Sequence, residues 1–175
     1  MTNLYGAQIS RLAAHVDPIL VLFAPLWWIW PSPDLLLVTQ ALVVATGAGP
    51  VFLLARKHLG SSRAGLGFAL VYLLYPATGW LTLNEFHPVA LATPFLLFAF
   101  RYLDDDRLLA FAVFAIAAAL CKEEIGLVVA GFGLSYVISR RRLRMGVGIV
   151  VAGVALIVPH LVQRREPSVP TLETG

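Results

Sequence analysis

The chain has 175 residues, of which 59% are hydrophobic and only 13% are charged, and its formal net charge is +3. Soluble domains need roughly a quarter of their residues charged to coat their surface. This composition therefore excludes a soluble globular domain and predicts that the lipid bilayer covers much of the exterior. The basic residues stand in short clusters without an aromatic-basic stripe, which excludes nucleic acid as a partner.

The apolar runs, separated by charged residues or proline, predict an all-α protein. A helix rises about 1.5 Å per residue and needs about 20 residues to cross about 30 Å of hydrocarbon. Run 19–30 is short and contains Pro25, which predicts a re-entrant or interfacial helix near the amino terminus. The later runs predict about six spanning helices in a polytopic transmembrane bundle: 35–55, 64–83, 88–100, 108–121, 125–139 and 145–162.

We expect residues 1–162 to form a single transmembrane helical domain, itself a fragment of a larger one. The proline-containing tail 163–175 is expected to be disordered because it offers little apolar surface to bury. Small residues at helical spacing predict close helix packing in two places. They are Ala41, Ala45 and Gly49 in one helix, and Gly126, Gly131 and Gly133 in another.

The Lys and Arg residues predict the orientation, because cytoplasmic loops collect positive charge. Alternate loops place nine basic residues on one side of the membrane and three on the other. We therefore expect a multi-pass protein with the more basic side in the cytoplasm. The nine residues are Arg56, Lys57, Arg63, Arg101, Arg107, Arg140, Arg141, Arg142 and Arg144.

The same topology collects a mixture of carboxylates, histidines and lysine on the non-cytoplasmic side. Charges this close to the hydrocarbon are costly and normally face the bundle interior or a water-filled cavity. Such a cavity can bind a divalent metal ion or supply a general acid and base. The residues are His15 and Asp17, then Asn84, Glu85 and His87, and finally Lys122, Glu123 and Glu124.

Each of these polar segments also has a structural interpretation, and the sequence leaves both open. Lys122–Glu124 can be a polar turn whose carboxylates favour the N-terminus of the following helix. Segment 84–88 can be a capped turn with Pro88 as the first helical residue. Segment 15–18 can be a helix start.

Asp104-Asp105-Asp106 fits the DxD pattern of nucleotide-sugar enzymes. Its place on the cytoplasmic side, directly before run 108–121, favours a turn and a cap for that helix instead. His58, which follows Arg56 and Lys57, is expected to face lipid headgroups.

Short segments over about residues 15–160 carry a family resemblance in matching order and spacing. They are His15–Leu20, Pro31–Gln40, Gly49–Val51 with Leu54–Arg56, Tyr72–Pro76, Glu85–Pro88 and Lys122–Leu127. On these segments the chain resembles an uncharacterised family of bacterial polytopic membrane proteins, the domain of unknown function 2079. The resemblance implies a multi-pass protein of the bacterial plasma membrane.

This family looks similar in architecture to the type C glycosyltransferases, which take a sugar from a polyprenyl-phosphate carrier at the outer face. The resemblance implies a cavity there, in which a carboxylate deprotonates the acceptor or holds a divalent metal ion and the lysine pairs with phosphate. The predicted catalytic residues are Glu85, His87 and Glu123, and the predicted substrate-binding residues are Lys122, His15, Asp17 and Glu124.

The sequence also departs from that family. Members begin with a spanning helix and an outer segment that carries an acidic motif, and both are absent before His15 here. We therefore expect a missing N-terminal segment or a partner membrane subunit. Two other functions stay open: a transporter or flippase module, in which the same charges form an ion or substrate path, and a non-catalytic partner subunit.

Overall fold

The computed structural model describes residues 25, 28, 32–75, 79, 87–122 and 124–163. All regular structure in these residues is α-helical. The chain divides into two compact units, Met1–Lys122 and Glu123–Gly175. In chain order the first unit contains α1 (Pro33–Ala45), α2 (Ala48–Leu59), α3 (Ser62–Leu74), α4 (Pro88–Asp104) and α5 (Leu108–Ala119), and the second contains α6 (Ile125–Arg140) and α7 (Leu143–Gln163).

Helices α1 and α2 form one bent rod, and the bend has an identifiable cause. Pro50 has no N–H to donate to the Thr46 carbonyl, and its ring would clash with that carbonyl in a regular helix. The backbone turns at Thr46 and Gly47 instead, where the Val44 carbonyl accepts the Tyr72 hydroxyl at 2.8 Å. A Cβ at Gly47 would lie 2.8 Å from Cζ of Tyr72. Only glycine lets α3 approach the bend this closely.

A tight turn joins α2 to α3 and makes them antiparallel. Gly60 ends α2 with a φ of 65°, a left-handed conformation that glycine adopts without a steric penalty. Ser61 then caps α3 by accepting a hydrogen bond from the Ala64 N–H at 3.3 Å. Gly65 packs against α2, because a Cβ there would lie 2.9 Å from the Phe52 carbonyl oxygen.

The run 64–83 is not one continuous helix, so this part of the sequence prediction was wrong. Helix α3 ends at Leu74 after 13 residues, and Tyr75 is extended with φ −63° and ψ 121°. Pro76 follows in the sequence, and a residue before proline is pushed out of the helical region by the proline Cδ. Hydrophobicity gave the correct location of this helix but not its end.

The α1–α2 rod runs parallel to α4 in constant register. The Gln40 side chain reaches His87 at the start of α4, and Lys57 reaches Asp104 at its end. Both contacts join residues 47 positions apart in the chain. The short turn after α4 makes α5 antiparallel to it, and the Phe114 ring of α5 lies 5.0 Å from that of Phe98 and is stacked on it.

In the second unit, α6 and α7 pack closely through glycines on both helices. A Cβ at Gly126 would lie 2.5 Å from the Gly153 carbonyl oxygen, and a Cβ at Gly133 would lie 2.8 Å from that of Gly146. Each helix thus places two glycines seven residues apart, two helical turns, on the contact face. Small residues at a helix contact let the backbones approach each other.

The sequence prediction of small-residue packing was therefore correct at some positions and wrong at others. Gly131, which was grouped with Gly126 and Gly133, is exposed with open space around it. On the α1–α2 rod, Ala45 and Gly49 are also exposed. The bend turns these two residues away from the packed face, on which Gly47 lies instead.

Large apolar side chains are exposed along helices of both units. Soluble proteins rarely expose contiguous apolar patches above a few hundred Å², whereas a membrane protein turns such side chains toward lipid. Examples from α3, α5, α6 and α7 are Leu66, Phe68, Leu109, Ile116, Leu127, Ile138 and Val151.

One segment in the described part of the chain is both long and apolar enough to cross a membrane. It is Asp34–Leu59, which includes α1, the bend and α2 over 26 residues. The other apolar helices are shorter, namely Ser62–Leu74, Leu108–Ala119, Ile125–Arg140 and Leu143–Val158. Length and composition thus identify one spanning candidate and do not by themselves establish six.

The glycine contacts predict unequal effects of one added methyl group. Gly126→Ala and Gly153→Ala should each lower the free energy of unfolding by about 1–3 kcal/mol, because the new Cβ meets backbone atoms of the facing helix. Gly131→Ala and Gly148→Ala are the matched controls, because a Cβ at either position would meet open space. Alanine has the higher helix propensity, so these two variants should raise the free energy of unfolding by up to about 1 kcal/mol. Unfolding in detergent micelles measures both, and equal effects would contradict the packing.

Candidate functional site

The described structure contains three of the seven residues predicted from sequence to form a site. His87, Lys122 and Glu124 have defined positions. The other predicted residues, Glu85, Glu123, His15 and Asp17, lie outside the described residues, so their roles stay predictions.

His87 is the N-cap of α4, and a buried side chain fixes its backbone. Its φ of −120° and ψ of 113° are extended, and Pro88 follows as the first helical residue, as the sequence predicted. The His87 N–H donates to Oε1 of Gln40 at 2.8 Å. Gln40 is fully buried, whereas His87 is exposed. The amide therefore holds the backbone and leaves the imidazole facing outward from the packed helices.

Gln40 is the positioning residue that sequence reasoning missed. It is one of few polar residues in the long apolar run 35–55. A glutamine in such a run was nevertheless a usable signal, because a buried polar side chain needs a hydrogen-bond partner. The sequence could not name that partner, which lies 47 residues away.

Lys122 lies at the same end of the first unit as His87. Helix α4 starts beside His87, and α5, which packs antiparallel on α4, ends at Ala119 just before Cys121 and Lys122. Cys121 is buried, and Lys122 is half-buried. The α4–α5 hairpin thus presents an imidazole and an ammonium group at one end.

Glu124 belongs to the second unit, where it is the N-cap of α6. Its side chain is exposed and makes no capping hydrogen bond. A carboxylate at this position is still favoured by the positive end of the helix dipole. The structural interpretation of Glu124 therefore has a basis in the fold, and its substrate-binding role stays a prediction.

The opposite end of the first unit holds a network of charged residues. Nζ of Lys57 lies 2.6 Å from Asp104 Oδ2 and 2.7 Å from Asp105 Oδ1. Nε2 of His58 lies 3.0 Å from Asp104 Oδ2, and Arg101 pairs with Asp105. This network joins the end of α2 to the end of α4.

The charge network corrects the predicted role of the Asp104–Asp106 segment. The N-cap of α5 is Arg107, and it makes no side-chain capping bond, so none of the three aspartates is the N-cap of α5. Asp104 and Asp105 bind residues of α2 and α4 instead. Carboxylates paired in this way are not a free DxD metal site, although the prediction of a turn here is confirmed by the φ of 62° at Asp106.

Electrostatics favour the ionised form of Asp105. The Arg101 hydrogen bond, and then the Lys57 hydrogen bond, hold the pKa of the Asp105 carboxyl below its usual value, against a smaller opposing effect of burial. An ion pair that lowers the pKa of a carboxyl stabilises the folded chain when that carboxyl is ionised.

Among the described residues, no group of three or more His, Cys, Asp or Glu side chains could hold a metal ion. The divalent metal considered from the sequence would depend on Glu85 or Glu123, so it stays a prediction.

Exposed apolar faces, one long apolar segment and, in the described residues, charged groups at the helix ends are features of a helical membrane protein. The chain belongs to the family described as predicted membrane protein (DUF2079), which matches residues 1–166. The family resemblance found in the sequence is therefore confirmed, whereas the similarity to type C glycosyltransferases stays a prediction. Comparison with curated proteins and with solved structures gave no match.

The Gln40–His87 hydrogen bond predicts a specific loss of stability. Gln40→Leu removes the acceptor of the His87 N–H and should lower the free energy of unfolding by about 1–3 kcal/mol. Thr39→Val is the matched control, because its hydroxyl bonds Leu35 within the same helix. Thermal unfolding in detergent compares the two variants. A loss no larger in Gln40→Leu than in the control would show that the interhelical bond contributes little.

The charge network predicts a loss of stability in acid. Because the folded pKa of Asp105 lies below its unfolded value, its ion pairs stabilise the fold above about pH 4 and are lost as the pH falls through the folded pKa. Asp105→Asn should flatten this acid dependence. Thr39→Val, which removes no carboxylate, should leave the acid dependence unchanged. Melting temperatures across the acid range test this, and an unchanged slope in Asp105→Asn would contradict it.

Proposed function

We propose that this chain is a multi-pass protein of the bacterial plasma membrane, with the Lys57–Asp104 end of its first unit in the cytoplasm. Arg56 and Arg63 flank the α2–α3 turn, and Arg101 and Arg107 flank the α4–α5 turn. The Lys57–Asp104 ion pair brings these two turns together. Both turns contain basic residues and lie at the same end of the unit. This supports their placement on one side of the membrane, the cytoplasmic side, where loops carry an excess of Lys and Arg.

Helix lengths support a position of His87 near the outer edge of the hydrocarbon. Helix α4 has 17 residues and rises about 25 Å, less than the roughly 30 Å of a bilayer core. Helix α1 begins at Pro33, seven residues before Gln40, and so continues about 10 Å beyond the level of His87. Ionisable groups at such a depth are expensive and are typically functional.

We further propose that the His87–Lys122 end acts on a sugar carried by polyprenyl phosphate, the donor class of type C glycosyltransferases. A hydroxyl oxygen of the acceptor attacks the anomeric carbon, the bond to the phosphate oxygen breaks, and polyprenyl phosphate leaves. Glu85 or Glu123 takes the acceptor proton or holds a divalent metal ion, and His87 assists. Lys122 pairs with the phosphate as its negative charge develops.

The observation that carries this proposal is the shared end of His87 and Lys122. A histidine and a lysine that act on one phosphate ester must lie on one side of the membrane, and a shared end of the α4–α5 hairpin supports this. His15, Asp17 and Glu124 are predicted from the sequence as substrate-binding residues, and these roles stay predictions. A transport path would instead need polar side chains through the bundle. Among the described residues, Gln40 is the polar side chain found in the core, which favours a site at one end.

Turnover of a lipid-linked sugar tests the proposal directly. In proteoliposomes of the full chain, His87→Ala should lower the release of polyprenyl phosphate about 100-fold or more. Folding should survive, because the imidazole makes no capping bond and alanine keeps the backbone N–H that donates to Gln40. His58→Ala, at the opposite end, is the matched control and should retain turnover.

Two results would overturn the proposal. The first is unchanged turnover in His87→Ala together with Glu85→Ala and Glu123→Ala. The second is labelling of His87→Cys and Lys122→Cys from opposite compartments, measured in a Cys121→Ala background so that no native thiol reacts.

A further inference from the structure

Two paired helices of the first unit depart from the regular pattern of backbone hydrogen bonds. In the α1–α2 rod, the Gly47 N–H donates to the Val44 carbonyl at 3.0 Å, a step of three residues in place of the regular four. In α4, Pro94 lies inside the helix and has no N–H to donate to the Ala90 carbonyl. Short 3₁₀ stretches and prolines within long helices are the places where such helices bend.

The register of the two rods brings these departures side by side. The polar contacts at both ends of the rods join residues 47 positions apart, and the same offset pairs Gly47 with Pro94. A close approach supports this pairing, because a Cβ at Gly47 would lie 3.1 Å from Cδ1 of Leu97. Side chains of a helix lean toward its N-terminus, so that of Leu97 leans toward Pro94. We call this level of the unit, defined by Gly47 and Pro94, the bend level.

The neighbouring helices end close to the bend level. The stacked rings of Phe98 and Phe114 align α4 with α5. The last residue of α5, Ala119, is five positions beyond Phe114, so α5 ends level with the residue five positions before Phe98, which adjoins Pro94. Helix α3 likewise ends two residues after the side chain that contacts the bend. Among the described helices of this unit, α1 and the start of α4 therefore extend farthest beyond the bend level.

We infer that the bend level is a hinge, across which α1 and the first turns of α4 move together relative to α2, α3, α5 and the rest of α4. The Gln40–His87 hydrogen bond ties the two moving segments to each other. The Lys57–Asp104 ion pair ties α2 to α4 on the other side of the hinge. The motion carries His87 without breaking either contact. The hinge is independent of the proposed reaction, because it depends on the backbone and not on the imidazole.

The side chain of Tyr72 holds the hinge at the observed angle. Its hydroxyl donates to the Val44 carbonyl of α1 at 2.8 Å, and it belongs to α3, which packs on α2. The hydrogen bond therefore joins the moving side of the hinge to the stationary side. The ring lies against Gly47, where the absence of a Cβ leaves room for it. Removal of the hydroxyl alone should let the bend angle change while the ring still fills this space.

Distances between spin labels test the hinge in the full chain, reconstituted in lipid nanodiscs and measured by pulsed electron paramagnetic resonance. Pairs of labels are attached at Val38→Cys on α1, Leu66→Cys on α3 and Ile116→Cys on α5, which are exposed positions, in a Cys121→Ala background. Val38 lies nine residues before Gly47. A change of about 20° in the bend therefore moves it by about 5 Å.

Tyr72→Phe should widen or shift the distances from Val38 by up to about 5 Å and leave the Leu66–Ile116 distance unchanged, since those two labels lie on one side of the hinge. Tyr102→Phe, which removes a hydroxyl from α4 away from the bend level, is the matched control and should change none of the three distances.

Two further variants test the two halves of the hinge separately. Gly47→Ala should widen the same distances as Tyr72→Phe, because its Cβ would lie 2.8 Å from Cζ of Tyr72 and displace the ring. Pro94→Ala, added to Tyr72→Phe, gives α4 the N–H that it lacks and should reverse most of the widening. Pro33→Ala, added in the same way, is the matched control, because Pro33 is the first residue of α1 and should reverse nothing.

The inference fails on any of three results. One is that the distances from Val38 stay unchanged in both Tyr72→Phe and Gly47→Ala. Another is an equal widening of all three distances, which would show a general loosening of the unit. The last is that Pro94→Ala reverses no more of the widening than Pro33→Ala, which would show that α4 does not bend at this level.

Discussion

The ion pairs from Lys57 to Asp104 and Asp105 set the register on which the first unit depends. They fix the end of α2 against the end of α4, at distances of 2.6 and 2.7 Å. Because α1–α2 and α4 run in parallel, this register also brings Gln40 level with His87, 47 residues later in the chain. Polar contacts at both ends thus define the register in which these two largely apolar rods pair.

This register separates two kinds of polar chemistry. At the Lys57 end, opposite charges are paired and their function is structural, since the aspartates are occupied by lysine, histidine and arginine. At the His87 end, the backbone is held by Gln40 and the side chain is left exposed. The imidazole of His87 is therefore at the surface of the unit, on a backbone that a buried side chain positions.

Close helix packing is a second constraint on the fold, and it depends on the absence of one Cβ atom at each of several glycines. Gly47, Gly65, Gly126 and Gly153 each lie where a Cβ would come within 3 Å of a neighbouring helix. These contacts bring helices together without large apolar side chains between them, so the large side chains remain on the outer faces. The exposed apolar surface of this chain, which is typical of a membrane protein, is thus a consequence of how the interior packs.

The sequence by itself determined the class of protein, the helical content, the family and several local boundaries. The low share of charged residues required a surface covered by lipid, and Pro88 marked the start of α4. Pro76 after Tyr75 was also a signal that α3 ends there, but the apolar run 64–83 led to the prediction of a longer helix. These features depend on a residue and its chain neighbours. Only the tertiary structure decided that Asp104 and Asp105 bind α2 rather than cap α5, that Gln40 positions His87, and that Gly126 packs while Gly131 does not. Those outcomes depend on which helix face meets which partner and at what register, and periodic apolar sequences leave that choice open.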